Sequence, residues 1–334
     1  MKNTMQSAIK KVHVNPQNLT LIGVMLAVVI VMQVMFPLFL TPANIETLLM
    51  NFVFEGIIAL GMTFVILTGG IDLSVASVFP LAEILVAKLM LQADMPILPA
   101  ILITLGICVG IGILNGFLID LLGVNPMIIT MGMMLTLKGV NLAITDGSSI
   151  TGFSIMFLNL GQGKLLFINA PIWLFAVLAI VLSYLLNNNA YFRQVYSIGG
   201  NEKAARLSGV NVRKVKIVIY ALCAFLAALA GIFAASRYGA AQWGHGNNLE
   251  MRAVSAVAIG GASMAGGSGR IGGTVLGAIF LAIVNNAFVM AGINPFWYDI
   301  VNGGMLLIAV MLSVLADWRN ERSILLRKDR FLAQ

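Results

Sequence analysis

Four carboxylates, Glu55, Asp72, Glu83 and Glu250, stand inside or at the edges of long apolar runs. An ionisable group in hydrocarbon is costly, so each is a candidate for proton or ion handling. The plainer assignment, adopted here, is helix-end charges and structural pairs such as Glu83 with Lys88. Two amides, Asn115 and Asn285, also fall in apolar runs, and each can donate and accept hydrogen bonds. Asp72, Glu250, Asn115 and Asn285 are therefore the candidates for a polar route. The competing reading has each asparagine tie its own helix to a neighbour.

Catalytic chemistry finds little support. His13 and His245 are isolated near the ends of apolar runs, so a Ser-His-Asp or Cys-His arrangement is not expected. No metal site is expected, and Cys108 and Cys223 read as small packing residues. Gly267-Ser-Gly-Arg-Ile-Gly272 matches G-x-G-x-x-G and nearly matches a phosphate-binding loop. Gly273 stands where that loop needs its lysine. No acidic residue between Glu250 and Asp299 could meet a ribose, as a dinucleotide site requires. The glycines read instead as a tight turn, and no cofactor is expected on this chain.

Composition explains why so few polar groups carry information. Of 334 residues, 60% are hydrophobic and 10% charged, against about 25% charged in an ordinary soluble domain. That places the chain among all-α polytopic membrane proteins. Its net charge of +7 does not indicate nucleic acid, because the basic residues lie between apolar runs. A span needs about 20 apolar residues. On that measure ten segments qualify or nearly so: 18–38, 45–68, 72–91, 96–121, 126–143, 170–187, 214–236, 249–262, 271–291 and 297–316. The eighth is short. The N-terminal stretch reads as a retained first helix, since residues 14–45 carry no charge before Glu46 and no cleavage site follows.

With both termini in the cytoplasm, fifteen of the twenty Lys and Arg residues fall on the cytoplasmic side. The expected organisation is a cytoplasmic segment 1–17, a first repeat 18–143 and a connecting segment 144–169 with room for a partly membrane-inserted stretch. A second repeat at 170–316 contains a cytoplasmic loop at 188–213, and a cytoplasmic tail spans 317–334. The repeats are suggested by three ordered matches: Asp72 with Glu250, Asn115 with Asn285, and Gly123-Val-Asn-Pro126 with Gly292-Ile-Asn-Pro295. Their offsets are 178, 170 and 169 residues. Five spans per repeat is odd, so the second copy enters from the opposite side, an inverted repeat. Gly106-x-x-x-Gly110, Gly112-x-x-x-Gly116 and Gly273-x-x-x-Gly277 offer close helix approach, for internal packing or for contact with another subunit.

The longest polar stretch, 199–216, holds six charged residues. Asn201 through Leu207 suits a short helix, with Asn201 as N-cap and Gly209 as its end. Lys203 and Arg206 are three apart and share a face, able to meet acidic groups on a partner. Ser197-Ile-Gly-Gly-Asn-Glu-Lys-Ala-Ala-Arg-Leu-Ser-Gly-Val-Asn-Val resembles the cytoplasmic loop of ribose-type ABC importer permeases. So do Gly69-Gly-Ile-Asp-Leu-Ser-Val75, the glycine-rich run 258–274 and Gly292-Ile-Asn-Pro-Phe-Trp-Tyr298.

The resemblance implies a permease subunit without its own ATPase, in the bacterial cytoplasmic (inner) membrane. It implies dimerisation with a copy or a paralogue, and a small sugar received from a periplasmic binding protein. It also implies a cytoplasmic ATP-binding-cassette ATPase, which binds ATP and magnesium and docks on the loop. Gly200, Asn201, Glu202, Lys203, Ala205, Arg206, Leu207 and Gly209 are the implied coupling residues. Relatives carry pentoses, hexoses or autoinducer-2, and more distant ones nucleosides or branched-chain amino acids. Arg252 departs from the acidic residue common at its position. An ion-coupled secondary transporter is the competing class.

Overall fold

The computed structural model describes residues 16–294, 297, 300–308, 310 and 311. Residues 1–15 of the expected segment 1–17, all of 317–334, and with them His13 and both termini, lie outside the described residues, as do Pro295 and parts of the expected span 297–316.

The described residues are mostly helical. α1 (Pro16–Met35), α2 (Pro42–Leu67), α3 (Val75–Leu91), α4 (Ile97–Leu122) and α5 (Pro126–Thr145) follow in order. A two-residue strand β1 (Ile150–Thr151), the short α6 (Ile155–Gln162) and the hairpin β2 (Lys164–Leu165) and β3 (Ile168–Asn169) fill the connecting segment. Then come α7 (Ala170–Asn188), α8 (Ala190–Gly200), α9 (Glu202–Leu207) and α10 (Val212–Tyr238). Strand β4 (Ala240–Ala241) pairs antiparallel with β1. α11 (Leu249–Ile259) and α12 (Ile271–Met290) follow, and residues 300–308 are helical. Among the described residues six helices, α2, α4, α5, α7, α10 and α12, are long and apolar enough to cross a membrane.

Sequence chemistry sets most helix boundaries. Pro42 and Pro126 open α2 and α5, where a missing N–H costs nothing. Asn125 caps α5 through Met127 N, and Gly123 closes α4 in the left-handed region at φ 63°. The two most buried spans, α2 and α10, form the centre. They run antiparallel, with Gly61 against Cys223 and Phe54 against Tyr238. α4 packs along α10, and α12 along α2, also antiparallel. A buried hydrogen bond between Thr63 and Thr274 (2.7 Å) and a reciprocal pair between Asn44 and Asn286 (2.9 Å) tie α2 to α12.

The glycine spacings divide by role. A Cβ on Gly112 would meet Tyr220 O at 2.5 Å, and one on Gly116 would meet Ile217 Cα at 2.6 Å, so these two let α4 close on α10. Gly273 and Gly277 do the same for α12 against the backbone of Gly260 and Ala256. Gly106 and Gly110 meet nothing and face outward. Overpacking a tight contact costs roughly 1–3 kcal/mol. Gly112→Leu is therefore expected to lower the midpoint of thermal unfolding in detergent by that equivalent, while Gly106→Leu leaves it unchanged. Equal losses in both would contradict the assignment.

Candidate functional site

Three stretches that carried the resemblance, far apart in sequence, meet at one end of the molecule. They are the turn after α2, the end of α8 and the turn before α12. Gly267 N donates to Leu67 O (3.0 Å), and Tyr196 Oη donates to Gly269 O (2.9 Å). A Cβ on Gly199 would run into both Leu67 O and Gly267 N. Gly266 holds φ +91°, and a Cβ there would stand 2.8 Å from Gly69 N and 3.0 Å from Gly199 Cα. Here Gly267 and Gly269 of the G-x-G-x-x-G run, with Gly266 before it, form a packing surface for backbone at positive φ, while Gly272 meets nothing.

α9 projects from this junction. Asn201 Oδ1 accepts from Ala204 N (3.0 Å), and Gly209 adopts φ +85°, so the cap and the stop stand where the sequence placed them. Ala205 is buried, fixing which face turns inward. Arg206, which its spacing from Lys203 offered to a partner, keeps 48% of its side chain exposed but is also engaged within the chain. Its guanidinium binds Asp120 of α4 (2.7 Å) and Glu202 one turn back (2.8 Å). Glu202 also takes Lys216 of α10 (2.8 Å). Arg213 reaches Asp120 at 3.9 Å and lies over the Phe117 ring at 4.8 Å. Burial raises the Glu202 carboxyl, but the hydrogen bonds from Lys216 and Arg206 outweigh it and hold it below its ordinary value. The bond to Asp120, then that to Glu202, raises Arg206 above its ordinary value.

These pairs clamp α9 to α4 and α10. They leave Lys203 and Leu207, four apart on one face, pointing outward. Leu207 is 91% exposed. Gly200 is exposed at the edge of the junction and Gly209 is exposed beyond the helix. Asp120 went unnoticed in the sequence. A lone carboxylate ending an apolar run, with a basic loop downstream, was the available signal.

The route candidates do not form one cluster. Asp72 is buried and caps the turn into α3, accepting from Ser74 N (3.0 Å) and Ser74 Oγ (2.6 Å). Asn115 is buried and donates to the same Ser74 Oγ (2.9 Å). Asn285 is half-buried towards the opposite end. Its neighbour Asn286, not Asn285, makes the pair with Asn44. Glu250 stands elsewhere, at the start of α11.

That start lies at mid-depth. From β4, residues 242–248 turn back into the bundle, with Gly246 pressed onto Ala76 O near the start of α3. Glu83, inside α3, accepts from Gln242 N (3.0 Å) and contacts His245 Nδ1 (2.8 Å). Its partner is thus His245 rather than Lys88, and His245 is not isolated. Arg252 pairs with Glu55, midway along α2, at 2.7 Å. The turned-back segment and the eleven-residue α11 together occupy the place of one span. α5 closes the region from the other side. Ser77 Oγ donates to Met134 O (2.7 Å), and Asn141 Nδ2 to Ser77 O (3.0 Å).

A family model described as branched-chain amino acid transport system / permease component matches residues 44–310. The ribose import permease protein RbsC of Bacillus subtilis (strain 168) is 40% identical over 286 residues, 85% of this chain and 88% of that protein. The D-allose transport system permease protein AlsC of Escherichia coli (strain K12) is 34% identical over 279 residues, covering 83% and 85%. The galactose/methyl galactoside import permease protein MglC of Salmonella typhimurium is 35% identical over 310 residues, covering 87% and 91%. No solved structure matches the chain.

Contacting charges in one network couple by about 0.5–3 kcal/mol. A double-mutant cycle of Asp120→Asn and Arg206→Gln, read by hydrogen exchange across α9, is expected to give a coupling in that range. Strictly additive effects would show that the two residues do not hold α9 together.

Proposed function

The chain belongs to the branched-chain amino acid transport system / permease component family, and from that membership we propose a specific assembly and cargo. It is the multi-pass permease subunit of an ATP-binding-cassette importer, and its cargo is a small sugar. The cargo reading rests on relatives at 34–40% identity, whose names specify ribose, allose and galactose. Hydrolysis belongs to a separate cytoplasmic ATPase, which binds ATP and magnesium. A periplasmic binding protein delivers the sugar, and a second permease subunit completes the path.

The observation that carries the coupling reading is the clamped α9 with Lys203 and Leu207 turned outward. An external motor needs a rigid handle, because a loose one would absorb the motion. The clamp supplies rigidity, and an exposed leucine beside a lysine suits an apolar pocket with an acidic rim. Gly200, Asn201 and Gly209 shape the handle, Glu202 and Arg206 hold it, and Ala205 seats it.

We read the architecture as ten spans in two inverted five-helix repeats, in the inner membrane with both termini cytoplasmic. The packing of α2 along α12 and of α10 along α4 supports this, since each long central helix takes the fourth span of the other repeat. Asn115 lies towards the α9 end and Asn285 towards the opposite one, as an inverted relation requires. Of the route candidates, Glu250 stands at a cavity, while Asp72 and Asn115 support the turn into α3.

The test is uptake by proteoliposomes containing the chain, its ATPase and its binding protein. Internal ATP is expected to drive ribose accumulation with no ion gradient. Accumulation that needs a proton or sodium gradient and ignores ATP would favour the secondary-transporter class.

A further inference from the structure

A cavity of ≈190 Å³ lies between the start of α3, the middle of α5 and the turned-back segment before α11. Lys138 and Asn141 reach it from α5, Trp243 from the turned-back segment, and Glu250 from α11. We propose that this cavity is a transient binding station for one neutral, hydroxyl-rich ligand, a monosaccharide-sized polyol. The proposal rests on the sugar-importer reading and names residues for it.

Four observations carry it. The Oε2 of Glu250 and the Oδ1 of Asn141 are buried and accept no hydrogen bond, although Glu250 is 8% and Asn141 1% exposed. Buried acceptors without partners are costly, and a ligand rich in O–H donors satisfies them. Trp243 donates its Nε1–H to Gly147 O (3.2 Å), which pins the indole. A fixed aromatic ring offers an apolar face to the C–H side of a sugar. Lys138 stands twelve residues into α5 and is exposed in the single chain, about 18 Å along the helix axis. An ammonium at that depth is costly against lipid, which favours a polar space or another protein beside this face of α5. Finally, the cavity is lined by one basic and one acidic residue, Lys138 and Glu250, and so favours neither sign of ligand. That balance suits a neutral cargo.

The fold builds the cavity rather than leaving it by accident. Asn248 holds the left-handed φ of 59° where the turned-back segment becomes α11. The bonds of Glu83 to Gln242 N and His245 hold that segment inside the bundle. An interrupted helix is the place where transporters present polar groups at mid-depth. The volume is below the ~300–1,000 Å³ of sites that grip drug-sized ligands, as a station that must release its cargo requires.

The experiment uses the assembled importer in proteoliposomes with labelled ribose, and with allose and galactose as further probes. Glu250→Gln and Trp243→Ala, at matched assembly with the ATPase, are each expected to lower ATP-driven uptake at least tenfold. Leu135→Cys, on the cavity wall, is expected to react with a small thiol reagent at least threefold more slowly when the transported sugar is present. Cys108 and Cys223 are buried and give little background. Parental uptake in both variants, or unprotected labelling where a variant fails to assemble, would overturn the proposal. A parental importer that moves none of the three sugars under ATP overturns the sugar reading itself, and the polyol assignment with it.

Discussion

Backbone contact among three glycine-bearing turns is the constraint on which the rest of this structure depends. Leu67–Gly70, Gly199–Gly200 and Gly266–Gly269 come from the end of α2, the end of α8 and the entry to α12. They approach so closely that side chains are excluded. Gly266, Gly267 and Gly269 each adopt a positive φ that other residues resist. Because the turns interlock, the ends of α2, α8 and α12 cannot move independently. α9 is mounted beside this junction and tied to α4 and α10 by Asp120, Glu202 and Lys216. A push on α9 is therefore delivered to several spans at once, as a handle for an external motor requires.

Two of the charges inside the bundle are met by partners on other elements. Arg252 meets Glu55 and Glu83 meets His245, both at mid-depth. The Arg252 position, which looked like an unexplained charge reversal, is answered by a carboxylate on α2. Breaking a partly buried pair leaves an uncompensated charge, so such pairs hold their elements in register. Here the elements held are α11 and the turned-back segment before it. A half-length α11 is tolerable because its approach is bonded to Glu83 and pressed on Ala76.

Much of this was legible in the sequence. The first nine apolar runs match helices within a few residues, and Asn201 and Gly209 marked the limits of α9. Cap chemistry is local, so spacing alone reveals it. The amphipathic α8 was missed because the eye reads a polar stretch as a loop. Partners were harder. Glu83 was paired with Lys88 because a five-residue spacing was visible and a separation of 162 residues to His245 was not. The hold of Arg206 on Asp120 was hidden for the same reason, since the two lie 86 residues apart. Spacing identifies neighbours on one helix. Contacts between helices depend on packing, which no local pattern encodes. The cavity beside Glu250 was invisible likewise, because Asn141, Trp243 and Glu250 meet only after the chain turns back.

The most direct test of the account is photo-crosslinking from α9 in the assembled importer. A photoreactive amino acid at Leu207 is expected to capture the ATPase subunit, and one at Lys164, on the opposite end, is expected to capture none. Capture from Lys164, or none from Leu207 in a complex that still transports, would show that α9 is not where the motor binds.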